Sequence, residues 1–369
     1  MNAFEYLSIQ HQKYPQMQCQ DAVKAVFQAE WGCEHLISDE QSVYDYLKGE
    51  WERTPEDASC ALIEPLGGHF VRLHIAAAKA QGLSMDTLFR MFLHAAQIRC
   101  GDAARFSDAL DSIAGMAREG RLPFSYEEAE DCIRAYRARG CPAVHHSEAF
   151  RQAYHPAYRV IDRDTALLLP VLLRMDRLMR EKAHVIVAID GRCGSGKTTL
   201  AAHLAELYHA PVLHMDDFFL QPHQRTPQRL AQPGGNVDAE RFLHEVLTPL
   251  RQARDFSYQP FSCHAWRLLE PVQMGTYPLA IVEGSYSLHP LLEDHYDLRV
   301  FVTLDPALQR ARLLRRDGEA MLARYEGEWI PMEEQYFTAT RIRTRCDLIC
   351  STDRNQRMAW TCAADAQKI

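Results

Sequence analysis

Eight consecutive residues, Gly191-Arg192-Cys193-Gly194-Ser195-Gly196-Lys197-Thr198, have the types and spacing needed to hold a chain of phosphates. The pattern is G-x-x-x-x-G-K-[ST]. Its glycines let the backbone wrap its amides around an anion, its lysine brings a mobile positive charge, and its hydroxyl suits Mg²⁺. The apolar run HVIVAID precedes the loop and TLAAHLAELY follows it, so a strand feeds the loop and a helix leaves it. A helix beginning there aims further amides and its positive dipole end at the same anion. Gly191, Arg192, Cys193, Gly194, Ser195, Gly196, Lys197, Thr198 and Thr199 are therefore the candidate nucleotide-contact residues, with ATP and Mg²⁺ as the implied ligands.

Phosphoryl transfer also needs a carboxylate on the metal side and a group to take the nucleophile's proton. In a parallel sheet such groups gather where strands end. The run PLAIVEG ends at Glu283, which joins Thr198 as a candidate metal contact, and PVLHM is followed by Asp216 and Asp217. Asp216 is the candidate general base and acceptor contact. An acid after a strand is also a common helix cap, and the neighbouring loop is what favours the chemical role here. The cationic part lies further on, in a helix opened by Asp305-Pro306. Arg312, Arg315 and Arg316 stand three and four residues apart and share one side of it. Such a row suits a lid that stabilises charge on the transferring group, and Arg312 and Arg316 join Lys197 and Asp216 as catalytic candidates.

Two kinds of element must position these groups. From about residue 180, short β-branched runs alternate with helical stretches: 184–190, 211–215, 278–284, 298–304 and 347–351. Near-continuous apolar strands separated by helices predict a parallel sheet covered on both faces. The first 140 residues read instead as successive helices. Asp21 precedes Val23, Val26, Phe27 and Trp31 with Gly32 as the stop; Val43, Leu47 and Trp51 recur every four residues; Ser84 opens a run closed by Gly101. Ser125 with Glu128 forms a capping box before a helix ended by Gly140. No strand is predicted before residue 180, so residues 1–160 are expected to be an all-α domain with a connector, and 161–369 the phosphate-binding domain.

Composition narrows the partners. Hydrophobic content of 47% and charged content of 24% describe an ordinary globular chain, and a net charge of −8 with no basic tract argues against nucleic acid. The longest apolar stretches, such as Ala166–Leu173 interrupted by Pro170, are too short to span a bilayer. No basic region followed by an apolar run opens the chain, and eleven scattered cysteines without C-x-x-C pairs read as reduced thiols, so a cytoplasmic protein is expected. Cys346 and Cys350 have no second ligand pair beside them. His35, His69, His74, His94, His145 and His146, with Glu30 and Glu64, lack the H-x-x-x-H spacing of a helical metal site and read as ordinary buried or surface residues.

The loop GRCGSGKTT, the stretches HMDDFF (214–219), NVDAERFLHEVLTPL (236–250), Y-x-P-F (258–261) and IVEGSY (281–286), and the helix PALQRARLLRRD (306–317) together resemble the uridine kinase branch of the P-loop kinases. That branch also holds phosphoribulokinase and bacterial pantothenate kinase. EWIPMEEQYF (328–337) looks like the segment after the lid, and the resemblance covers residues 180–352. It implies an α/β P-loop NTPase fold of the nucleoside-monophosphate-kinase-like kind, with a five-stranded parallel core and helices on both faces. It also implies a base at Asp216, metal contacts from Thr198 and Glu283, and arginines on a mobile lid. In uridine kinases an aromatic residue and a histidine touch the base, which points to Tyr258 and His264 here. Where those enzymes hold the ribose hydroxyls with a Phe-Asp pair, this chain reads Pro233-Gly234-Gly235-Asn236-Val237-Asp238.

The expected activity is transfer of the γ-phosphoryl group of ATP to a small alcohol, with a uridine- or cytidine-like nucleoside first and a pantothenate-, sugar- or ribosyl-like alcohol second. A non-catalytic ATP-binding regulator is the reading from another class, and a mechanochemical ATPase lacks further machinery after Glu283. The roles open to residues 1–160 are regulation, homo-oligomerisation and covering of the acceptor pocket.

Overall fold

Strand formation begins far earlier in the chain than the helical reading predicts. The computed structural model describes residues 3–33 and 39–362, so the expectation for His35 lies outside the described residues. The chain divides into two compact units, Met1–Leu173 and Arg174–Ile369.

In the first unit the expected helices form, at Cys19–Trp31, Glu40–Arg53, Met85–Gln97 and Tyr126–Ala138. The serine caps are those the residue types dictate, whereas the first of these helices starts before Asp21, which accepts from the Gln18 amide, and the Met85–Gln97 helix ends before Gly101. The Ser84 hydroxyl accepts from the Thr87 amide, and Ser125 and Glu128 exchange bonds of 3.1 and 2.7 Å. The all-α expectation is nevertheless corrected by an antiparallel sheet of β1 (Ile63–Pro65), β2 (Phe70–His74) and β3 (Tyr158–Asp162), in that order. The helices Cys19–Trp31 and Met85–Gln97 pack against it. β3 also crosses the expected boundary at 160/161, and the division falls after Leu173 instead.

The reason the sheet escapes a pattern search is Arg72, whose charge interrupts the apolar run of β2. Register places it directly opposite Glu64 of β1. The buried guanidinium donates to Glu64 at 2.8 Å, to Gln10 at 2.9 Å and to Gln28, and lies over the Tyr158 ring. Burial would raise the Glu64 carboxyl, but His74, Arg72, Lys13 and Tyr14 outweigh it and hold it well below the usual range. His146, beside Asp21 at 2.8 Å, is pushed down to about 4 by burial, so at neutral pH that contact is a hydrogen bond of a neutral ring. Among the described residues no three His, Cys, Asp or Glu side chains converge as a metal site.

Removing one partner of a buried ion pair strands the other charge and costs about 3–5 kcal/mol. Arg72→Met is therefore expected to lower stability by about that much. The double replacement Glu64→Leu/Arg72→Met should recover most of it. Urea denaturation of the full chain measures both, and a single variant as stable as the parent would refute the assignment.

The second unit contains the predicted strands: β4 (Val185–Gly191), β5 (Val212–His214), β10 (Leu279–Glu283), β11 (Leu298–Leu304) and β12 (Leu348–Thr352). Two small antiparallel hairpins lie between, pairing β6 (Phe256–Tyr258) with β9 (Val272–Met274) and β7 (Phe261–Ser262) with β8 (Arg267–Leu268). The main sheet runs β13-β12-β11-β4-β10-β5, all parallel except β13 (Met358–Cys362), an antiparallel edge strand outside the expected five. Ile186 and Ala188 of β4 join a buried cluster with Phe218, Phe242 and Phe301. Alternation turns the equally buried Val185, Val187 and Ile189 to the other face. The helix Lys197–Tyr208, which buries Leu200, Leu204 and Leu207, packs on β4, β5 and β10. β4 sits at the centre of the sheet, so the loop leaving it opens between β11 and β10. No helix among the described residues is long and apolar enough to cross a membrane.

Candidate functional site

β4, β10 and β5 are parallel neighbours, so their carboxyl ends fall along one edge, and three candidate groups follow from that alone. Gly191 ends β4 because no other residue fits. With φ at 142°, a Cβ there would lie 1.9 Å from the Val302 carbonyl oxygen of β11. The loop then turns through Gly194 and Gly196 into the helix that starts at Lys197. The Lys197 ammonium is folded back on the loop, donating to the carbonyls of Gly191 at 2.8 Å and Arg192 at 3.0 Å.

Glu283, at the end of β10, ties two elements together. One carboxylate oxygen accepts from the Thr198 hydroxyl at 3.2 Å, and the other meets the His214 ring nitrogen of β5 at 2.6 Å. That second bond raises the His214 pKa. Gly284 follows with φ at 136°, and a Cβ on it would come within 2.9 Å of the Met215 Cβ, pressing on the 3₁₀ turn Met215–Phe218 that carries Asp216. The Asp216 carboxyl is open to the cavity yet hemmed in by protein. Desolvation raises its pKa, and the nearby Lys197 pulls it part of the way back.

These groups share one cavity of about 1040 Å³, whose walls include Lys197, Thr198, Asp216, Glu283 and Arg312. Of the nine loop residues expected to contact nucleotide, Cys193, Gly194, Gly196, Lys197, Thr198 and Thr199 line it. Gly191, Arg192 and Ser195 do not. Gly191 is closed off by β11, Arg192 is paired with Glu334 and bonded to the Thr303 hydroxyl at 3.2 Å, and the Ser195 hydroxyl is buried without a partner. Arg316 lines the cavity but is engaged by Asp317 at 2.8 Å and the Tyr325 hydroxyl at 2.7 Å. Arg312 approaches the Gly194 carbonyl at 3.4 Å. The helix carrying both breaks at Gly318.

The expectation for Tyr258 needs correction. Its ring is buried against Phe218, 5.5 Å between centroids, in the apolar cluster and off the cavity wall. His264 does line the cavity, and the aromatic surface beside it is Trp266, half exposed at 54%.

Two groups were not foreseen from the residue pattern. Asp190, fully buried at the end of β4, accepts from the amides of Gly191, Tyr286 and Leu288 and from the Tyr336 hydroxyl. Burial still pushes its pKa up to about 6. Glu333, from the helix Ile330–Thr340, lays its carboxylate on the loop: the Cys193 amide donates to both oxygens, at 3.1 and 3.0 Å, and the Ser285 hydroxyl donates at 2.8 Å. The loop thus already holds an anionic group on one of its amides. The only foreshadowing in sequence was the EWIPMEEQYF segment itself.

The donor sets fit the implied ligands. Oriented loop amides and Lys197 suit phosphates, and a hydroxyl beside a carboxylate, both hard oxygen donors, suits Mg²⁺. No protein-family model and no curated protein matches the chain. Among solved structures it is similar to a possible uridine kinase from Bacillus stearothermophilus, at 19% identity over 49% of this chain and 98% of that one, with a TM-score of 0.36. It is also similar to a provisionally named fructose transport system kinase from Silicibacter sp. TM1040, at 26% identity over 47% of this chain and 93% of that one, with a TM-score of 0.39.

Proposed function

We propose that the second unit is an ATP-dependent phosphotransferase acting on a small alcohol. The observation that carries this reading is the meeting of Lys197, Thr198, Asp216 and Glu283 on one cavity wall at the ends of three adjacent parallel strands. In the proposed reaction the loop amides and Lys197 hold the β- and γ-phosphates in line with the acceptor. Asp216 takes the acceptor's hydroxyl proton as that oxygen bonds to the γ-phosphorus, and the bond from phosphorus to the β-bridging oxygen breaks, releasing ADP. A carboxyl with a raised pKa is the stronger base, which supports Asp216 in that role. Thr198 and Glu283 would hold Mg²⁺, which when bound neutralises phosphate charge. Arg312 stands where it can add positive charge beside the loop.

A uridine- or cytidine-like acceptor draws support from His264, but loses the ring contact assigned to Tyr258. Trp266 offers an aromatic surface to any acceptor with an apolar face. The test is a coupled ADP-release assay across nucleosides, polyols and vitamin alcohols with Mg·ATP. At least one acceptor should raise ADP release tenfold or more over the acceptor-free rate. ADP release indifferent to every acceptor would favour the regulator instead.

A further inference from the structure

The cavity holds a cation with no counter-ion among the described residues. Arg225 follows the short 3₁₀ turn Pro222–Gln224, just beyond the Asp216 turn, and lines the cavity with Asp216, Asn236, Cys263, His264 and Trp266. Its guanidinium lies over the Trp266 ring, 5.7 Å from the centroid. No described carboxylate lies within ion-pair distance of it, and its side chain donates to no described acceptor. The other cavity acids are accounted for elsewhere. Glu283 is bonded to Thr198 and His214, Glu333 to the loop, and Glu328 to Arg324 at 3.6 Å.

A guanidinium carries five N–H donors in a planar fork that matches a carboxylate or phosphate, and the face of an indole attracts it. A fork left unmatched in a concave site is free to take a ligand's carboxylate or phosphate through two parallel hydrogen bonds. The Asn236 side chain and His264, which can meet hydroxyls, line the same cavity, as does Asp216. Burial raises the Cys263 thiol, Arg225 opposes that rise and Asp216 adds to it, and all three side chains line this cavity.

We propose that the phosphoryl acceptor is an anionic alcohol, a hydroxy acid or the phosphate ester of a polyol, whose anionic group is held by the Arg225 fork on Trp266 while its hydroxyl faces Asp216. This inference rests on the phosphotransferase reading. It makes Arg225 a specificity residue.

The experiment uses the full chain with three matched sets of three- to five-carbon probes: neutral polyols with uridine, the corresponding aldonates, and the polyol monophosphates. Each is assayed for ADP release and, separately, for calorimetric binding to the ADP-loaded protein. Arg225→Gln and Arg225→Lys are compared with the parent. The expected result is a preference for the aldonates or the monophosphates, the two arms telling carboxylate from phosphate. Arg225→Gln should raise KM for that probe 10- to 100-fold, the range of a lost charge-assisted contact, with kcat and the KM for ATP nearly unchanged. Arg225→Lys should restore part of the loss. Neutral probes turned over as well as anionic ones, or a preference unmoved by Arg225→Gln, overturns the inference and leaves the kinase reading standing. Anionic probes that bind in an Arg225-dependent way without turnover uphold the anion site and overturn the kinase reading. No binding and no turnover with any probe overturns both.

Discussion

Asp216→Asn is expected to lower turnover by about 10²- to 10⁴-fold, the contribution of a positioned general base, while nucleotide binding stays within about threefold of the parent. The substitution is nearly isosteric and removes only the ability to take a proton. Among the described residues the Asp216 side chain makes no hydrogen bond, and its turn is set by Met215 and Phe218 packing into the core. The pH profile supplies the sharper test. Desolvation raises the Asp216 pKa, so the protonated, inactive form persists to higher pH than in a free carboxyl. Activity should therefore fall as pH drops through that raised value, and the residual activity of the asparagine variant should lack this limb. An asparagine variant with parental turnover, or one that keeps the same acid limb, would exclude Asp216 as the base.

Lys197→Met is expected to weaken binding of a non-hydrolysable ATP analogue by about 10- to 100-fold, the loss of one or two hydrogen bonds to a charged group. Turnover should fall with it, because the same ammonium neutralises the oxygens of the transferring group. The ammonium is bonded to the carbonyls of Gly191 and Arg192, so the variant also loses a brace of the loop. Lys197→Arg separates the effects, since it keeps the charge but cannot fold back into so short a space. Calorimetric titration with the analogue, run beside thermal unfolding, measures both. Undiminished affinity in the methionine variant would mean that the loop does not grip phosphates through this side chain.

How much of the site could be read from residues depends on how far apart its parts lie in the chain. The loop is contiguous, and each residue type in it answers a local demand, from Gly191 against the Val302 carbonyl to Lys197 opening the helix. Glu283 and Asp216 were legible because apolar strands announce their own ends. Glu333 was not: it reaches the loop from 140 residues away, and nothing local separates it from its neighbour Glu334. Tyr258 was misplaced for a related reason. The family resemblance pointed to it as a ligand contact, but packing against Phe218 turned the ring into the core. The β1–β3 sheet was hidden because a charged residue in a short apolar run mimics a loop until its partner is known.

From residue order alone came the phosphate cradle, the alternation of strand and helix around it and the caps of the early helices, all of which are decided by interactions within a few residues. Tertiary structure alone decided that Arg72 could be buried opposite Glu64, that Trp266 rather than Tyr258 faces the cavity, and that Arg225 stands there without a counter-ion among the described residues. The physical difference is one of range. A turn, a cap or a strand end is specified by neighbours in the chain, whereas the environment of a charge or a ring is set by whichever distant segment packs beside it.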